Sequence, residues 1–273
     1  MRLAHLSDLH FGRRVSMAKL SALTDDLIKR RPDLIVVTGD VTDQGTIRQF
    51  RQASAFFKDV GLPFISVPGN REIGIMAFWE WLIPPLAMSR FSSFFGNSDR
   101  VFYGGGDPHV ALFGVNSVHP FPSWLGMVRR ETRYWLRSTA EHYSDSVKVL
   151  FLHHPVIPVP RSSSFWAHGL SDAGELINVC ANTGFRLILQ GHKHRSAVME
   201  LFLPQQDCRL IVSACGAPLL DSWDAIYHII DINWSSIQVT PLEFTEGRFQ
   251  PINCYEFIEN NALGFSSASG RLT

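Results

Sequence analysis

The stretch Leu34-Ile35-Val36-Val37-Thr38-Gly39-Asp40, read on through Gly61-Leu62-Pro63 to Phe64-Ile65-Ser66-Val67-Pro68-Gly69-Asn70, decides the fold. Residues 34–37 are a short unbroken apolar run of the kind a buried strand shows, and residues 64–67 repeat it. Between them, residues 46–60 carry Phe50, Ala53, Phe56 and Phe57 on one side of a helix. Strand, amphipathic helix and strand make a β-α-β unit. Both strands exit through a glycine into a polar side chain, Asp40 in one case and Asn70 in the other.

The same alternation extends outward. Residues 3–6 read as a strand, and residues 17–30 as a helix with Leu20, Leu23, Leu27 and Ile28 on one side, closed by Pro32-Asp33. Downstream, strands at 110–115 and 147–152 flank a helix near 130–143; a helix at 172–181 precedes a strand at 186–189 that ends in Gln190-Gly191. The pattern then changes. Residues 197–203, 209–213, 225–232 and 236–241 are strands with turns and no helices between them, which predicts antiparallel strands forming a second sheet. The expected architecture is α/β: a four-layer αββα sandwich of two mixed sheets flanked by helices. Residues 1–259 form one domain in this reading, and residues 260–273, rich in Ser, Gly, Asn and Ala, a disordered tail.

Composition narrows the function. The 273 residues hold 25 basic and 25 acidic side chains, so no net field favours nucleic acid or an anionic surface. Four cysteines without C-x-x-C spacing argue against a zinc ribbon or dithiol site and suit a reducing compartment. Met1 runs straight into a strand with no apolar leader, and the longest apolar stretch, residues 73–88, is broken by Glu80 and Pro84-Pro85. A cytoplasmic protein is expected, with peripheral contact to the inner membrane face as its one membrane association.

Histidine is abundant, with 11 copies, and it clusters. Five motifs fall just past strand ends, the edge where α/β proteins bind ligands: Asp8-Leu9-His10, Gly39-Asp40, Gly69-Asn70-Arg71-Glu72, His153-His154-Pro155 and Gly191-His192-Lys193-His194. Asp8 and His10, two apart in extended chain, can turn toward one ion. Asp40 has two oxygens and can bridge two cations, with Gly39 keeping bulk away. Asn70 offers an amide oxygen, and His153, His192 and His194 offer imidazoles that suit manganese, iron or zinc better than calcium. Each motif alone is commonplace; their joint occurrence in one order points to a two-cation site that can hold a phosphoryl group.

From residue 3 to about residue 194 these motifs resemble the calcineurin-like metallophosphoesterase superfamily. The resemblance implies that Asp8, His10 and His194 bind a first divalent cation, that Asn70, His153 and His192 bind a second, and that Asp40 bridges them together with the hydroxide that attacks phosphorus. Manganese is the first expectation for both cations, with iron or zinc as alternatives. Of the histidine pair, His153 is expected as ligand and His154 behind it, in a supporting or acid role.

One position departs from the family, whose usual motif is Gly-Asn-His-Asp or Gly-Asn-His-Glu. Here Arg71 replaces the histidine described as the general acid. Arginine cannot shuttle a proton, but it can bind phosphate and stabilise charge. Without an acid, about 10²–10⁴-fold in rate is at stake when the leaving group needs a proton. A pyrophosphate tolerates this, and Arg71 in this motif resembles the UDP-2,3-diacylglucosamine pyrophosphatases. The Gly39–Asp43 and His153-His154-Pro155 motifs instead resemble cyclic-nucleotide phosphodiesterases, with His154 or His119 as the acid. Residues 73–96, with Trp79, read as a core helix or an apolar lid, and Phe165 and Trp166 sit on a second apolar loop. These loops, with Arg71, tip the expectation toward a nucleotide-lipid pyrophosphatase, ahead of a cyclic-nucleotide or glycerophosphodiester phosphodiesterase. A catalytically silent metal-binding interaction module is the reading from another class. No nucleic-acid partner is expected, and the sequence leaves the oligomeric state open.

Overall fold

In β2 (Leu34–Thr38), Leu34 and Val36 point into one core while Ile35 and Val37 point into another, the period-two alternation of a strand covered on both faces. The computed structural model describes residues 1–12, 15–73, 84–119, 124–161, 169–260 and 264–270. Around β2, a first sheet takes in β1 (Arg2–Leu6), β3 (Phe64–Val67), β10 (Ile226–Ile232), β11 (Ser236–Thr245), β12 (Arg248–Pro251), β13 (Cys254–Asn260) and β14 (Gly264–Gly270). Its order is β14-β13-β11-β10-β1-β2-β3, with β12 also on β11. A second sheet runs β4 (Arg100–Gly104), β5 (Val110–Gly114), β6 (Val147–Phe151), β7 (Phe185–Gln190), β9 (Cys208–Ala214) and β8 (Ala197–Leu203).

Three apolar cores separate four layers. Leu3, Val36, Val149 and Leu189 lie among the side chains that fill the space between the sheets. Helices α1 (Met17–Arg30), α2 (Ile47–Val60) and α3 (Pro84–Phe95) cover the first sheet, and α4 (Arg130–Ala140) and α5 (Ala173–Asn182) cover the second. The expected sandwich is therefore observed. Ser16 and Thr46 cap α1 and α2 by accepting from the backbone N–H groups of Lys19 and Gln49. Gly61 closes α2 at φ 68°.

Three expectations need correction. The late strands do not form a sheet of their own: β8 and β9 join the second sheet and β10 to β14 the first. Turn signals reveal strands but not their partners, and β9 pairs parallel with β7 while β10 pairs antiparallel with β1. Residues expected as a disordered tail include β14, which pairs antiparallel with β13. An edge strand is held by backbone hydrogen bonds, so a Ser- and Gly-rich composition does not exclude it. Ile28 is 44% exposed, because it lies about 100° around the helix from Leu27. Of the two readings of residues 73–96, the described half takes the core one: Phe91 and Phe95 are buried against Phe50, and Phe95 also meets Phe57 and Phe64.

A buried hydrogen-bond chain crosses between the sheets. Thr38 Oγ1 donates to the Leu6 carbonyl, so His5 Nε2 donates to Thr38 Oγ1 at 3.0 Å. Neutral imidazoles then leave one direction: Ser213 Oγ donates to His5 Nδ1 (3.0 Å), His228 Nδ1 to Ser213 Oγ (2.7 Å), and Ser196 Oγ to His228 Nε2 (2.8 Å). His5 and His228 are fully buried. Burial lowers His228 to a pKa of about 3, and burial with the nearby His228 pushes His5 well below its ordinary value.

The unfolded chain protonates these histidines near pH 6.5, so stability falls as pH drops from about 6.5 toward 3. His228→Phe leaves two hydroxyls without their partner and should cost about 2 kcal/mol at pH 7.5. Between pH 7.5 and 5.5 it should also lose about 1 kcal/mol less than the parent, since it no longer carries that titration. Urea unfolding at both pH values checks this; equal losses would mean that His228 is not held neutral by the fold.

Candidate metal centre

The five motifs lie together at the C-terminal ends of parallel strands from both sheets. Asp8 and His10 follow β1, Asp40 follows β2, and Asn70 follows β3; His153 follows β6, and His192 and His194 follow β7. The ladders run past the strand ends, with Asp8 N–H donating to Gly39 O, His10 N–H to Asp40 O and Gly191 N–H to His153 O, each at 3.0 Å. These bonds set the exit loops in register with one another.

Two donor groups share Asp40. In the first, Asp8 Oδ1 lies 3.1 Å from His194 Nε2 and 3.8 Å from His10 Nε2, and His10 Nε2 lies 3.0 Å from His194 Nε2 and 3.9 Å from Asp40 Oδ2. In the second, His153 Nε2, His192 Nδ1 and Asn70 Oδ1 form a triangle of 3.0–3.2 Å, with Asp40 Oδ1 at 3.5 Å from His153 Nε2. The two oxygens of Asp40 thus face different groups. All seven residues expected as ligands are brought together, and His153, not His154, reaches the cluster. Its Nδ1 donates to the Thr38 carbonyl at 2.7 Å, which leaves the Nε2 lone pair free for a ligand.

The donor set fits divalent cations. Asp8 Oδ2 accepts from Ser7 Oγ and His192 N–H, but Asp8 Oδ1 is buried with no hydrogen bond, His194 standing close without the alignment for one. Imidazole nitrogens 3.0–3.1 Å apart direct lone pairs at the same space, and such edges suit bonds of about 2.1 Å to a common ion. Burial lowers the pKa of His10 to about 3 and pushes His192 well down, so both offer neutral nitrogens. Burial and the Asp8 charge raise Asp40 to about 8. Burial opposes the Asp8 carboxylate too, but His194, His153 and His10 outweigh it and hold its pKa low. Cations beside Asp40 relieve the repulsion between these carboxylates.

Glu72 is the residue that sequence reasoning left without a role. Fully buried, it accepts four hydrogen bonds: from Asp40 N–H (3.0 Å), Gly69 N–H (2.7 Å), Thr42 N–H (2.8 Å) and Thr42 Oγ1 (2.9 Å). It ties the exit of β2 to the exit of β3. An acidic residue two after Asn70 was the available signal. Burial and then the Asp40 charge raise its pKa to about 8, and the bonds from Thr42 and Gly69 pull the other way. Gly69 is required here, since a Cβ would stand 2.2 Å from Asp40 Oδ1. Gly39, at φ 85°, could not carry one either, with His153 Nδ1 2.6 Å away.

Arg71 donates its backbone N–H to Asp40 Oδ1 at 2.8 Å, and its positive charge acts on both Asp40 and His10. His154 is fully buried behind the cluster: its Nδ1 is 3.0 Å from Ser117 Oγ and its ring 4.7 Å from that of His192. Trp79, Phe165 and Trp166 lie outside the described residues. Trp223 and Asp224, which sequence reasoning did not single out, lie beside His194.

Comparison with known proteins agrees with this geometry. The calcineurin-like phosphoesterase family matches residues 1–196, and the chain belongs to that family. Calcineurin-like phosphoesterases use a binuclear metal centre, and the clustered Asp and His side chains are compatible with one. A probable glycerophosphodiester phosphodiesterase of Arcobacter nitrofigilis is 25% identical over 132 residues, 48% of this chain and 45% of that protein. The chain therefore spans about half the length of that relative. A probable cyclic nucleotide phosphodiesterase of Synechococcus sp. is 24% identical over 212 residues, covering 72% of this chain and 75% of that one. A dimetal phosphatase from Danio rerio shares the fold, with a TM-score of 0.63 at 13% identity over 92% of this chain and 98% of its own. No helix among the described residues is long and apolar enough to cross a membrane.

Glu72→Gln tests the support of the site. An amide cannot accept all four donors, so the variant should lose about 2 kcal/mol and 10–100-fold in divalent-cation affinity. Calorimetric titration with manganese measures the second quantity. Parental affinity in Glu72→Gln would show that the loops hold their ligands without the carboxylate.

Proposed function

We propose that the chain is a two-cation phosphodiesterase, acting on cyclic nucleotides first and glycerophosphodiesters second. Two donor groups that share Asp40, with the Arg71 backbone N–H on Asp40 Oδ1, are the observation that carries this reading. Relatives named for both substrate types support it. The expectation of a UDP-2,3-diacylglucosamine-type substrate rested on Arg71 and on apolar segments near the site. Phe91 and Phe95 belong to the core, and residues 74–83 and 162–168 lie outside the described structure, so the acyl-chain argument carries less than the diester one.

The residues divide the work. Asp8, His10 and His194 would hold one cation and Asn70, His153 and His192 the other, with Asp40 presenting an oxygen to each group. When bound, the pair supplies Lewis acidity toward a phosphoryl oxygen and activates a water nucleophile. Manganese, iron and zinc all suit this mixture of imidazole and oxygen donors. Arg71 stays charged and stabilises negative charge that develops on phosphoryl oxygens. His154, fully buried, packs its ring against that of His192 from behind.

Two measurements test the reading. With manganese present, the chain should hydrolyse 3′,5′-cyclic AMP and bis-p-nitrophenyl phosphate; chelation should abolish both activities, and Asp40→Asn should lower kcat on the order of 10²-fold or more. A chain that cleaves UDP-acyl-sugars but neither diester has another function. Because Arg71 donates no proton, rates across a series of aryl and alkyl diesters should fall steeply as the leaving-group pKa rises. Arg71→His should recover about 10²-fold on the alkyl members relative to the aryl ones. An unchanged slope would place the acid elsewhere.

A further inference from the structure

The loop between β9 and β10 presents Trp223 beside the first donor group. Its indole meets the His194 ring at 4.9 Å between centroids with the planes at 84°, and the Arg195 guanidinium lies 5.4 Å from the indole centroid. Neither neighbour encloses it, and Trp223 is 37% exposed. The residue next to it is the anchor. Asp224 accepts from Arg195 Nη1 at 2.7 Å, Ser196 N–H at 3.0 Å and Arg161 Nη2 at 3.3 Å. Its backbone accepts from Ala217 N–H at 2.9 Å, and Gly216 leaves room for that approach, since a Cβ there would stand 2.3 Å from Asp224 O.

An exposed indole is a poor choice for a loop that needs only to prop a histidine; a smaller buried ring would serve. A large, partly exposed ring beside the first donor group, with a guanidinium over one face, suits the stacking of another planar ring. The ordered anchor matters because a pre-set wall loses little freedom when a ligand arrives.

We infer that Trp223, flanked by Arg195, is the wall on which the nucleobase of the substrate stacks. This rests on the phosphodiesterase reading and sharpens it: the substrate is a nucleoside cyclic phosphate, and a ringless diester forgoes the contact. Trp223 is a specificity residue that touches substrate, and Asp224 positions it.

The test has a catalytic and a binding arm. Trp223→Ala should lower kcat/KM for 3′,5′-cyclic AMP about tenfold more than for glycerophosphoethanolamine, chiefly through KM, and Trp223→Phe should restore most of the difference. Equal losses on both substrates would make Trp223 a prop for His194 and overturn the inference, as would no loss on either. The binding arm stands apart from turnover. Calorimetry on the manganese-loaded protein should show AMP binding about tenfold tighter than ribose 5-phosphate, and Trp223→Ala should erase that preference. If the parent hydrolyses no diester but shows the preference, the diester reading fails and the stacking wall survives; if it shows no preference, the wall is refuted whatever the enzyme cleaves.

Discussion

Buried carboxyl groups are the constraint from which the rest of this site follows. Asp8, Asp40 and Glu72 are each at most 2% exposed and share one junction between two sheets. Carboxylates removed from water must be paired, hydrogen-bonded or bound to metal. Glu72 takes the second route, with four donors from the exit loops of β2 and β3. Asp8 takes it with one oxygen only. The other oxygen of Asp8, and both of Asp40, turn toward imidazoles. The arrangement is compatible with a cation site, with Asp40 Oδ1 also accepting from the Arg71 backbone N–H.

Its backbone reflects the same demand. Asp8, His10, Asp40, His192 and His194 all have φ between 48° and 70°, a region that residues other than glycine seldom adopt. Each such residue costs about 1 kcal/mol or more, and the cost persists only where the surroundings hold it. Here the holding is explicit. Ladder bonds from Asp8 N–H and His10 N–H run to Gly39 O and Asp40 O, and His192 N–H is fixed on Asp8 Oδ2. Three apolar cores supply the stability against which this strain is set.

The fold and site were not equally legible in the sequence. Helix α1 and strand β3 lie where periodicity puts them, because an amphipathic stripe and a short apolar run are local signals. The candidate ligands were legible as a set because metal chemistry admits few residue types and strand ends arrange them in order. Pairing was not legible: nothing near residues 226–232 says that they lie beside residues 2–5. Strand β4 offers only the short run Val101-Phe102-Tyr103, with every residue at least partly exposed, and the polar β14 carries no apolar run to find. Glu72 was visible as a letter, but its role depends on Thr42, about 30 residues away, and Trp223 is nearly 30 residues from His194. Such contacts exist only once the loops have been placed.

What places the loops is the relation between the sheets. The first donor group takes Asp8, His10 and Asp40 from one sheet and His194 from the other; the second takes Asn70 and Asp40 from one and His153 and His192 from the other. Neither group closes within a single sheet, so a sliding of one sheet on the other would open both at once. The inter-sheet core resists this without direction, since apolar packing has no preferred register of its own. The chain Thr38–His5–Ser213–His228–Ser196 is directional: it links β1, β2 and β10 to β9 and to the segment just after His194. Thr38 lies at both ends of the matter, taking His5 on its hydroxyl and His153 on its carbonyl. A buried polar chain is a costly way to join two layers, and this one runs from the residue that orients one ligand to the residue two beyond another. That placement makes it part of how the fold sets the distance between the two donor groups.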